Sequence, residues 1–412
     1  MEFLIPSHQQ RPADDPIFAL NAEANARKKR GEAVINATVG ALLADDGTLA
    51  VLPTVAEALR DVPALQAASY APLAGPAAFH AAVIGELFGD HPLGAQAIAV
   101  ATPGGTGALR LALANFLEPG QALLTSSFYW GPYKTLADES DRKLVTFRTF
   151  VLDEAGRPGG LDVAAFESTL ESTLEKQGRA LIFLNDPCQN PTGYSMSDAE
   201  WGALVSAIER LAPRGPVTLL VDVAYYLYGS GDPRAFLRHL EPLLGKVALA
   251  FAWSGSKSYT EYGARIGALL VCDPDENRRK RTFDALSFSC RGTWSNCNHA
   301  GMLAVTRVLS DPALRAKVDE ERAGLKRLLD GRVRAFNAAA AGTSLVFPRY
   351  AGGFFSTVFV PAGKRVAEVA ARLREEGIFV VPQGDGLRVA LCSVAERDVP
   401  RLVQAMDRAL GA

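Results

Sequence analysis

The sequence predicts an α/β fold in which a mostly parallel sheet is sandwiched by helices, followed by a smaller α+β domain. Two observations support this prediction. Between about residues 97 and 272, short apolar runs alternate with longer segments of helical periodicity, and several runs are apolar on both alternations. Strands covered by helices on both faces have this composition. After residue 311 the pattern changes to one long helical segment and a few short strands.

Six runs in the first region are predicted strands, because each is short, apolar and bounded by glycine, proline or polar residues. They are AIAVATPGG, ALLTSS, ALIFLNDP, VTLLVDVA, VALAFAWS and GALLVCD. In open α/β sheets, ligands bind beyond the carboxyl ends of the strands. We therefore expect functional residues directly after these runs.

The C-terminal region begins with apolar residues at three- and four-residue spacing from Val318 to Phe336. Because this stripe covers under three heptads, it favours a helix packed on the body over a coiled coil. GIFVVP and LRVALCS are predicted strands, with helices at 364–376 and 398–410. The predicted domains are an N-terminal arm and part of the small domain (1–50), a large ligand-binding domain (51–311) and a small C-terminal domain (312–412).

Composition narrows the function classes. The chain has 412 residues and a formal net charge of −2. It therefore lacks the excess of positive charge that is typical of proteins that bind nucleic acid or a membrane surface. Its five cysteines are scattered, so we expect reduced thiols. No two of its five histidines are close enough in sequence to form a metal-binding motif, so we expect no metal site. The N-terminus lacks a signal-peptide pattern and no apolar run reaches membrane-spanning length. We expect a soluble cytoplasmic protein.

The first polar segment after a predicted strand is TPGGTGALRLALANF, where glycines lead directly into a helical pattern. The free N–H groups and the dipole of a helix N-terminus bind phosphate, so Gly105 and Thr106 are candidate phosphate ligands. A simple tight turn is the alternative. The segment fits neither the P-loop pattern nor GxGxxG.

Two further strand ends carry polar side chains. LNDPCQNPTG places Asn185 and Asn190 after one strand and predicts a cis Asn190–Pro191 bond, although plain loop residues are the alternative. In LLVDVAYYLYG, Asp222 follows an apolar run and precedes Tyr225. A carboxylate at a buried strand end needs donors or a positive partner, and a structural ion pair with arginine is the alternative to a ligand site.

The segment WSGSKSYTEYGARIG places Lys257 just after an apolar strand, with Arg265 eight residues later. Desolvation lowers the pKa of a lysine and makes it a nucleophile for carbonyl groups. A surface lysine is the structural alternative. The segment also contains the S-x-x-K pattern of serine β-lactamases, with Ser254 as its serine, but no S-D-N or K-T-G partner follows.

Together these segments match one ligand that has a phosphate, a ring nitrogen, a phenolic oxygen and an aldehyde. The phosphate fits Gly105, Thr106, Ser254 and Arg265; the other three groups fit Asp222, the pair Tyr225 and Asn190, and Lys257. Pyridoxal phosphate has all four groups. Arg291 and Arg388 are additional candidates, because arginine binds carboxylates bidentately.

The order and spacing of these segments resemble the fold-type-I pyridoxal-phosphate aminotransferases, specifically the aspartate and aromatic amino acid aminotransferases. The resemblance runs from DDPIFAL, near Asp15, to the last helix. Its most specific parts are PGGTGALR, QNPTG, DVAY, the SxSK motif with Arg265, and the TWSN segment that follows Arg291.

The resemblance implies roles for residues that match the family's motifs. Lys257 forms the Schiff base and moves a proton, Asp222 keeps the ring nitrogen protonated, and Tyr225 and Asn190 bond the ring oxygen. The phosphate is bound by Gly105, Thr106, Ser254, Arg265 and a partner subunit's Tyr70, and the cofactor ring is stacked by Trp130. The substrate carboxylates are bound by Arg388 and by the partner subunit's Arg291. Closure over the substrate involves Gly40, Ile17 and Phe18. Trp130 and Asn190 also lie beside the substrate. A homodimer with shared active sites is implied.

This chain departs from the family at three places around the substrate and the interface. Tyr133 stands where the family usually has histidine, Leu42 occupies a usually aromatic position, and SNCNHAG replaces a proline-containing segment. The leading hypothesis is transfer of an amino group from aspartate, glutamate or an aromatic L-amino acid to a 2-oxo acid such as 2-oxoglutarate. The alternatives are a lyase, decarboxylase or specialised biosynthetic enzyme with the same cofactor, and a binding module without catalysis.

Overall fold

The structure, a computed structural model, describes residues 3–11 and 16–411. Its helices are α1 (Pro16–Lys29), α2 (Pro53–Arg60), α3 (Ala64–Ala68), α4 (Ala77–Phe88), α5 (Gly104–Phe116), α6 (Pro132–Asp138), α7 (Val163–Gln177), α8 (Asp198–Leu211), α9 (Leu237–Leu240), α10 (Gly255–Ser258), α11 (Glu276–Thr293), α12 (His299–Ser310), α13 (Pro312–Ala340), α14 (Val366–Glu375) and α15 (Val399–Gly411). Its strands are β1 (Ile35–Asn36), β2 (Ala97–Pro103), β3 (Ala122–Ser126), β4 (Lys143–Phe147), β5 (Phe150–Leu152), β6 (Pro158–Leu161), β7 (Ala180–Asn185), β8 (Val217–Asp222), β9 (Ala248–Ser254), β10 (Ile266–Cys272), β11 (Phe355–Phe359), β12 (Ile378–Phe379), β13 (Val381–Gln383) and β14 (Gly386–Ala390).

A seven-stranded sheet forms the centre of the molecule, in the order β2-β10-β9-β8-β7-β3-β4. Strand β10 runs antiparallel to both of its neighbours, and the other pairs are parallel. Alternate residues of β8 belong to different buried clusters, Leu219 and Val221 to one and Leu220 to another. Helices therefore cover both faces, which confirms the predicted α/β class and the six predicted strands. Strand β4, at the sheet edge, was not predicted.

A second, smaller region contains the antiparallel sheet β11-β14-β13 and the parallel pair β1-β12. GIFVVP forms β12 and β13, LRVALCS contains β14, and the two flanking segments form α14 and α15, as predicted. The long helix α13 is capped by Asp311, the residue before it, whose side chain accepts bonds from the N–H groups of Ala313 and Leu314. Strand β11 was not predicted.

The N-terminal segment joins this smaller region, because Ile35 pairs with Ile378 in the β1-β12 ladder. Asp14 and Asp15, where the resemblance begins, lie outside the described residues. The domain boundaries after residues 50 and 311 stay predictions. Within residues 3–11 and 16–411, no helix is long and apolar enough to cross a membrane.

Candidate active site

A cavity of about 200 Å³ lies where three neighbouring strands end. Asn185 ends β7, Asp222 ends β8 and Ser254 ends β9, and all three line the cavity. Nine of the predicted residues line it: Gly105, Thr106, Trp130, Asn190, Asp222, Tyr225, Ser254, Lys257 and Arg265. The parallel sheet explains this convergence, since parallel strands present their carboxyl ends at one edge.

One end of the cavity is suited to an anion. Gly104 begins α5 in the left-handed region (φ 73°), and a Cβ on it would collide with the Arg265 guanidinium. This close approach puts a fixed positive charge beside the N–H groups at the start of the 13-residue helix α5. Arg265 is oriented by bonds from its Nη1 to the Ser256 hydroxyl (3.0 Å) and the Tyr262 carbonyl (2.9 Å).

Asp222 is a buried carboxylate that also lines the cavity, and neutral groups donate hydrogen bonds to it. Tyr133 Oη donates to Oδ2 (2.8 Å), and the N–H of Ala224 donates to Oδ1 (3.1 Å). Burial raises the pKa of Asp222, while these donors and the charge of Lys257 oppose the rise. Burial, together with the charge of Asp222, raises the pKa of Tyr133 well above its usual value, so its hydroxyl stays a proton donor.

Asn185 and Asn190 connect the ends of β7 and β8. Asn185 Nδ2 donates to the Asp222 carbonyl (2.7 Å), and its Oδ1 accepts from the N–H of Asn190 (2.7 Å). Asn190 Nδ2 lies 3.4 Å from Tyr225 Oη, and the predicted cis Asn190–Pro191 bond is present. Asn190 Oδ1 is buried without a partner in the described structure. Such an unsatisfied atom facing a cavity fits a site made for a polar ligand.

Lys257 has the environment of a nucleophilic amine. Burial, reinforced by the nearby charge of Arg265 and opposed by Asp222, lowers its pKa to about 8. Its Nζ lies 5.7 Å from the centre of the Tyr225 ring and 5.6 Å from that of Tyr262. A lysine amine with a lowered pKa bonds aldehydes more readily near neutral pH. Together with the anion end and the buried carboxylate, it fits pyridoxal phosphate.

Arg388 and Gly40 both lie against the ring of Phe355, and neither of them lines the cavity. The Arg388 guanidinium lies 4.7 Å above the Phe355 ring, and its Nη2 donates to the Thr38 carbonyl (2.5 Å). Gly40 approaches the same ring so closely that a Cβ on it would lie 2.6 Å from Phe355 Cζ. Phe355 in turn contacts Tyr225 edge-on, with ring centres 5.7 Å apart.

The remaining predicted residues lie away from the cavity lining in the single chain. Tyr70, between α3 and α4, is 90% exposed, and Phe18, on α1 next to Ile17, is 70% exposed. Arg291 is exposed on α11, where its Nη1 donates to the Ser295 hydroxyl (2.7 Å). Their assigned roles stay predictions.

Sequence reasoning missed several residues that the structure brings to the site. Tyr133, expected near the substrate and the interface, bonds Asp222, and Ala224 and Leu109 line the cavity; Asn185, which the sequence did indicate, and Ser256 line it as well. Ser256 had a signal, since it lies inside the SxSK motif. The contact of Tyr133 with Asp222 spans 89 residues and follows no local pattern.

Comparisons with known proteins agree with this site. The family model for aminotransferase class I and II matches residues 32–406. The aspartate aminotransferase of Pseudomonas aeruginosa is 27% identical, over 96% of this chain and 97% of its own. An aminotransferase structure from Anaerococcus prevotii is 31% identical over both full chains (TM-score 0.92). An aromatic-amino-acid aminotransferase from Burkholderia pseudomallei, covalently bound to pyridoxal phosphate, is 25% identical over 99% of this chain and 100% of its own (TM-score 0.78).

These matches confirm the predicted fold-type-I class, the predicted transamination and the predicted cofactor, pyridoxal phosphate. They do not favour the lyase or decarboxylase alternative. The matched segment contains the whole cavity, from Gly105 to Arg265. The chain belongs to the class I and II aminotransferase family.

Proposed function

We propose that the chain moves an amino group from L-aspartate, L-glutamate or an aromatic L-amino acid to a 2-oxo acid such as 2-oxoglutarate, in two half-reactions that alternate on one cofactor. The observation that carries this proposal is the arrangement of Lys257, Asp222 and Arg265 around a single cavity. The names of the aspartate and aromatic relatives support the two substrate classes.

The cofactor, when bound, supplies an aldehyde for the amino group and a ring that accepts the electron pair left on the substrate Cα. Lys257 would hold the aldehyde through its amine; once the substrate amine has displaced it there, the freed lysine amine would move the proton between the substrate Cα and the cofactor carbon next to the ring. Asp222, held as an acceptor by Tyr133, keeps a proton on the ring nitrogen. Tyr225 and Asn190 bond the ring oxygen.

The remaining cavity residues hold the cofactor in place. Arg265, Ser254 and the N–H groups of Gly105 and Thr106 bind the phosphate, where the α5 dipole and the guanidinium charge reinforce each other. Trp130 covers one face of the ring. These groups lie at the ends of strands of one sheet and at the starts of the helices that follow. They therefore orient the cofactor without large movement.

Substrate binding combines residues of two subunits in this proposal. Arg388 binds the α-carboxylate, while the partner subunit's Arg291 binds a distal carboxylate and the partner subunit's Tyr70 adds a bond to the phosphate. The high exposure of Tyr70 and Arg291 in the single chain supports a role across an interface. Gly40, Ile17 and Phe18 close over the substrate. We also propose a homodimer located in the cytoplasm.

A visible-absorbance scan of the purified protein tests the proposed function. Aspartate, glutamate, phenylalanine and tyrosine are added singly, followed by 2-oxoglutarate. We expect the band of the lysine-bound cofactor to convert to the amine form with one or more amino acids and to return with the 2-oxo acid. A band that none of them moves would contradict these substrate classes, and the absence of a band after added pyridoxal phosphate would contradict the assignment of Lys257.

A further inference from the structure

A buried carboxylate outside the cavity bonds both flanks of the segment that carries Lys257. Glu86, near the end of α4, is 1% exposed. Its Oε2 accepts a bond from Trp253 Nε1 (3.1 Å), and its Oε1 accepts one from Tyr259 Oη. Trp253 is the residue before Ser254, and Tyr259 is the residue after Ser258. One side chain therefore ties the two ends of the five-residue segment 254–258.

The exit from this segment has a strained backbone. Thr260 has a positive φ of 55°, a conformation that β-branched residues rarely adopt. Such a conformation persists where surrounding contacts fix it. Here the N–H of Leu52 donates to Thr260 Oγ1 (2.9 Å), and that hydroxyl donates to the Tyr259 carbonyl (2.7 Å). The position of Tyr259 is thus part of what holds the turn.

Arg322 of α13 reinforces the same side. Its Nε donates to the Ser258 carbonyl (2.9 Å), and its guanidinium carbon lies 5.2 Å from the centre of the Tyr259 ring. Arg322 is itself buried, and its Nη1 donates to Asp319 (2.8 Å). The aromatic ring of Tyr259 consequently lies between a cation on one helix and the carboxylate of another.

Burying an acidic side chain here is costly unless its oxygens are bonded. Aromatic rings and cations surround it: Phe79 and Tyr259 are both in ring contact with Trp253 (centres 6.2 and 6.0 Å apart), and the charges of Arg315 and Arg322 act on the carboxylate. An apolar residue at position 86 would fill such a site at lower desolvation cost, but it would leave the Trp253 N–H and the Tyr259 hydroxyl unbonded. The carboxylate fixes both groups at once.

We propose that Glu86 is a positioning residue for Lys257: by bonding Trp253 and Tyr259 it fixes the turn that directs the lysine Nζ into the cavity. This inference rests on the proposed function of Lys257. It predicts that loosening either bond changes how the lysine presents its amine, in addition to any effect on global stability.

Two variants of the full chain test the proposal. Glu86→Gln removes the charge that accepts both bonds, and Tyr259→Phe removes the hydroxyl that donates one of them while keeping the ring. The matched control is Glu200→Gln. Glu200 also accepts a bond from a tyrosine hydroxyl, that of Tyr194, but it lines no part of the cavity. Three quantities are measured: the midpoint of thermal unfolding, the rate of imine formation between the cofactor-free protein and pyridoxal phosphate, and the pH midpoint of the imine absorbance.

We expect both test variants to slow imine formation about tenfold and to move the pH midpoint by about half a unit or more, which corresponds to about 0.7 kcal/mol. The control should lower the unfolding midpoint and leave the other two quantities unchanged. Equal loss of thermal stability in all three variants, with unchanged imine kinetics and titration, would overturn the proposal. A missing imine band in the unsubstituted protein would instead contradict the proposed function itself.

Discussion

The two halves of the candidate site are built differently. The half proposed for the cofactor lies within one chain: Asp222, Tyr225 and Ser254 are each at most 7% exposed, and Arg265 at the anion end is exposed. The groups proposed to act from a second chain, Arg291 on a distal carboxylate and Tyr70 on the phosphate, lie exposed on the surface of the same chain. In the proposed dimer, one chain therefore preorganises the groups for the chemistry, and a second chain supplies Arg291 and Tyr70.

This contrast has an energetic consequence. Groups inside the cavity act in a region of low dielectric, where a lost charge or donor has a large effect. Exposed arginines have weaker individual interactions until a partner covers them. Substitutions in the first half should therefore reduce turnover with all substrates, whereas substitutions in the second half should discriminate between substrates.

The largest effect is expected for Lys257→Ala. Without the amine, the proton on the substrate Cα has no positioned acceptor, and turnover should fall by about 10⁴-fold or more. Transamination assays and the visible spectrum of the bound cofactor measure this. Lys246→Ala is the control, since that lysine forms a surface ion pair with Glu209. Turnover that survives in Lys257→Ala would remove the lysine from the mechanism.

Asp222→Asn should have the next largest effect. The amide keeps the size of the side chain and loses the charge that holds a proton on the ring nitrogen, so we expect a fall in kcat of about 10²–10³-fold and weaker retention of the cofactor. Dialysis against buffer without pyridoxal phosphate measures retention. An exposed carboxylate, Asp198, supplies the control substitution. Full activity of Asp222→Asn would show that the negative charge of Asp222 in the cofactor half is not needed for the reaction.

Arg291→Leu should separate the substrates. We expect kcat/KM for aspartate and glutamate to fall about 10- to 100-fold, the effect of losing charged hydrogen bonds, with little change for phenylalanine. Mixed dimers sharpen the test, because a subunit with Lys257→Ala still offers its Arg291 to the partner. Restored aspartate activity in such mixtures would locate Arg291 across the interface. Equal losses for both substrate classes would show that it does not bind the distal carboxylate.

The pH dependence of imine formation should follow the lowered pKa of Lys257, about 8 in the cofactor-free protein. Only the neutral amine attacks an aldehyde, so the rate should level off above pH 8 and fall about tenfold per pH unit below it. Asp222 raises the pKa of Lys257, and Asp222→Asn should therefore move the midpoint to lower pH. Stopped-flow absorbance measures both, and a midpoint near the ordinary lysine value would contradict the buried environment.

The smallest effect is expected for Tyr133→Phe. Loss of one hydrogen bond to Asp222 costs about 1 kcal/mol, so cofactor affinity should weaken only a few-fold. The pKa of Asp222 should rise, because that bond lowers it. Fluorescence titration with pyridoxal phosphate measures the affinity. Tyr129→Phe, on the adjacent ring of the aromatic stack, is the control.

Much of the central sheet could be predicted because its strands contain consecutive apolar residues. All six residues of β7 and of β8 are buried, and the sequence shows this as the apolar runs 180–184 in β7 and 219–221 in β8. Strand β4 lies at the sheet edge with mixed exposure, so its composition carries a weaker signal. Strand β11 buries Ser356 and Thr357, and polar residues in a core strand conceal it.

The cavity lining could be predicted where it follows local motifs at strand ends, as with Lys257, Asp222 and Asn190. Contacts between distant segments could not. Glu86 lies 167 residues before Trp253, and neither residue has a local pattern that indicates the other. In the proposed dimer, the positions of Tyr70 and Arg291 relative to a substrate depend on the second chain, and no pattern within one chain determines them.

The pairing of β1 with β12 has a consequence for the order in which the chain folds. Arg27 Nη1, just before β1, donates to the carbonyl of Arg374, 347 residues later. The strands of the central sheet, by contrast, all lie between Ala97 and Cys272. The strands that carry the cavity can pair once Cys272 has been made, whereas β1 can pair only after β12 has been made. The segment that includes Arg27 and β1 therefore completes its contacts later than the central sheet.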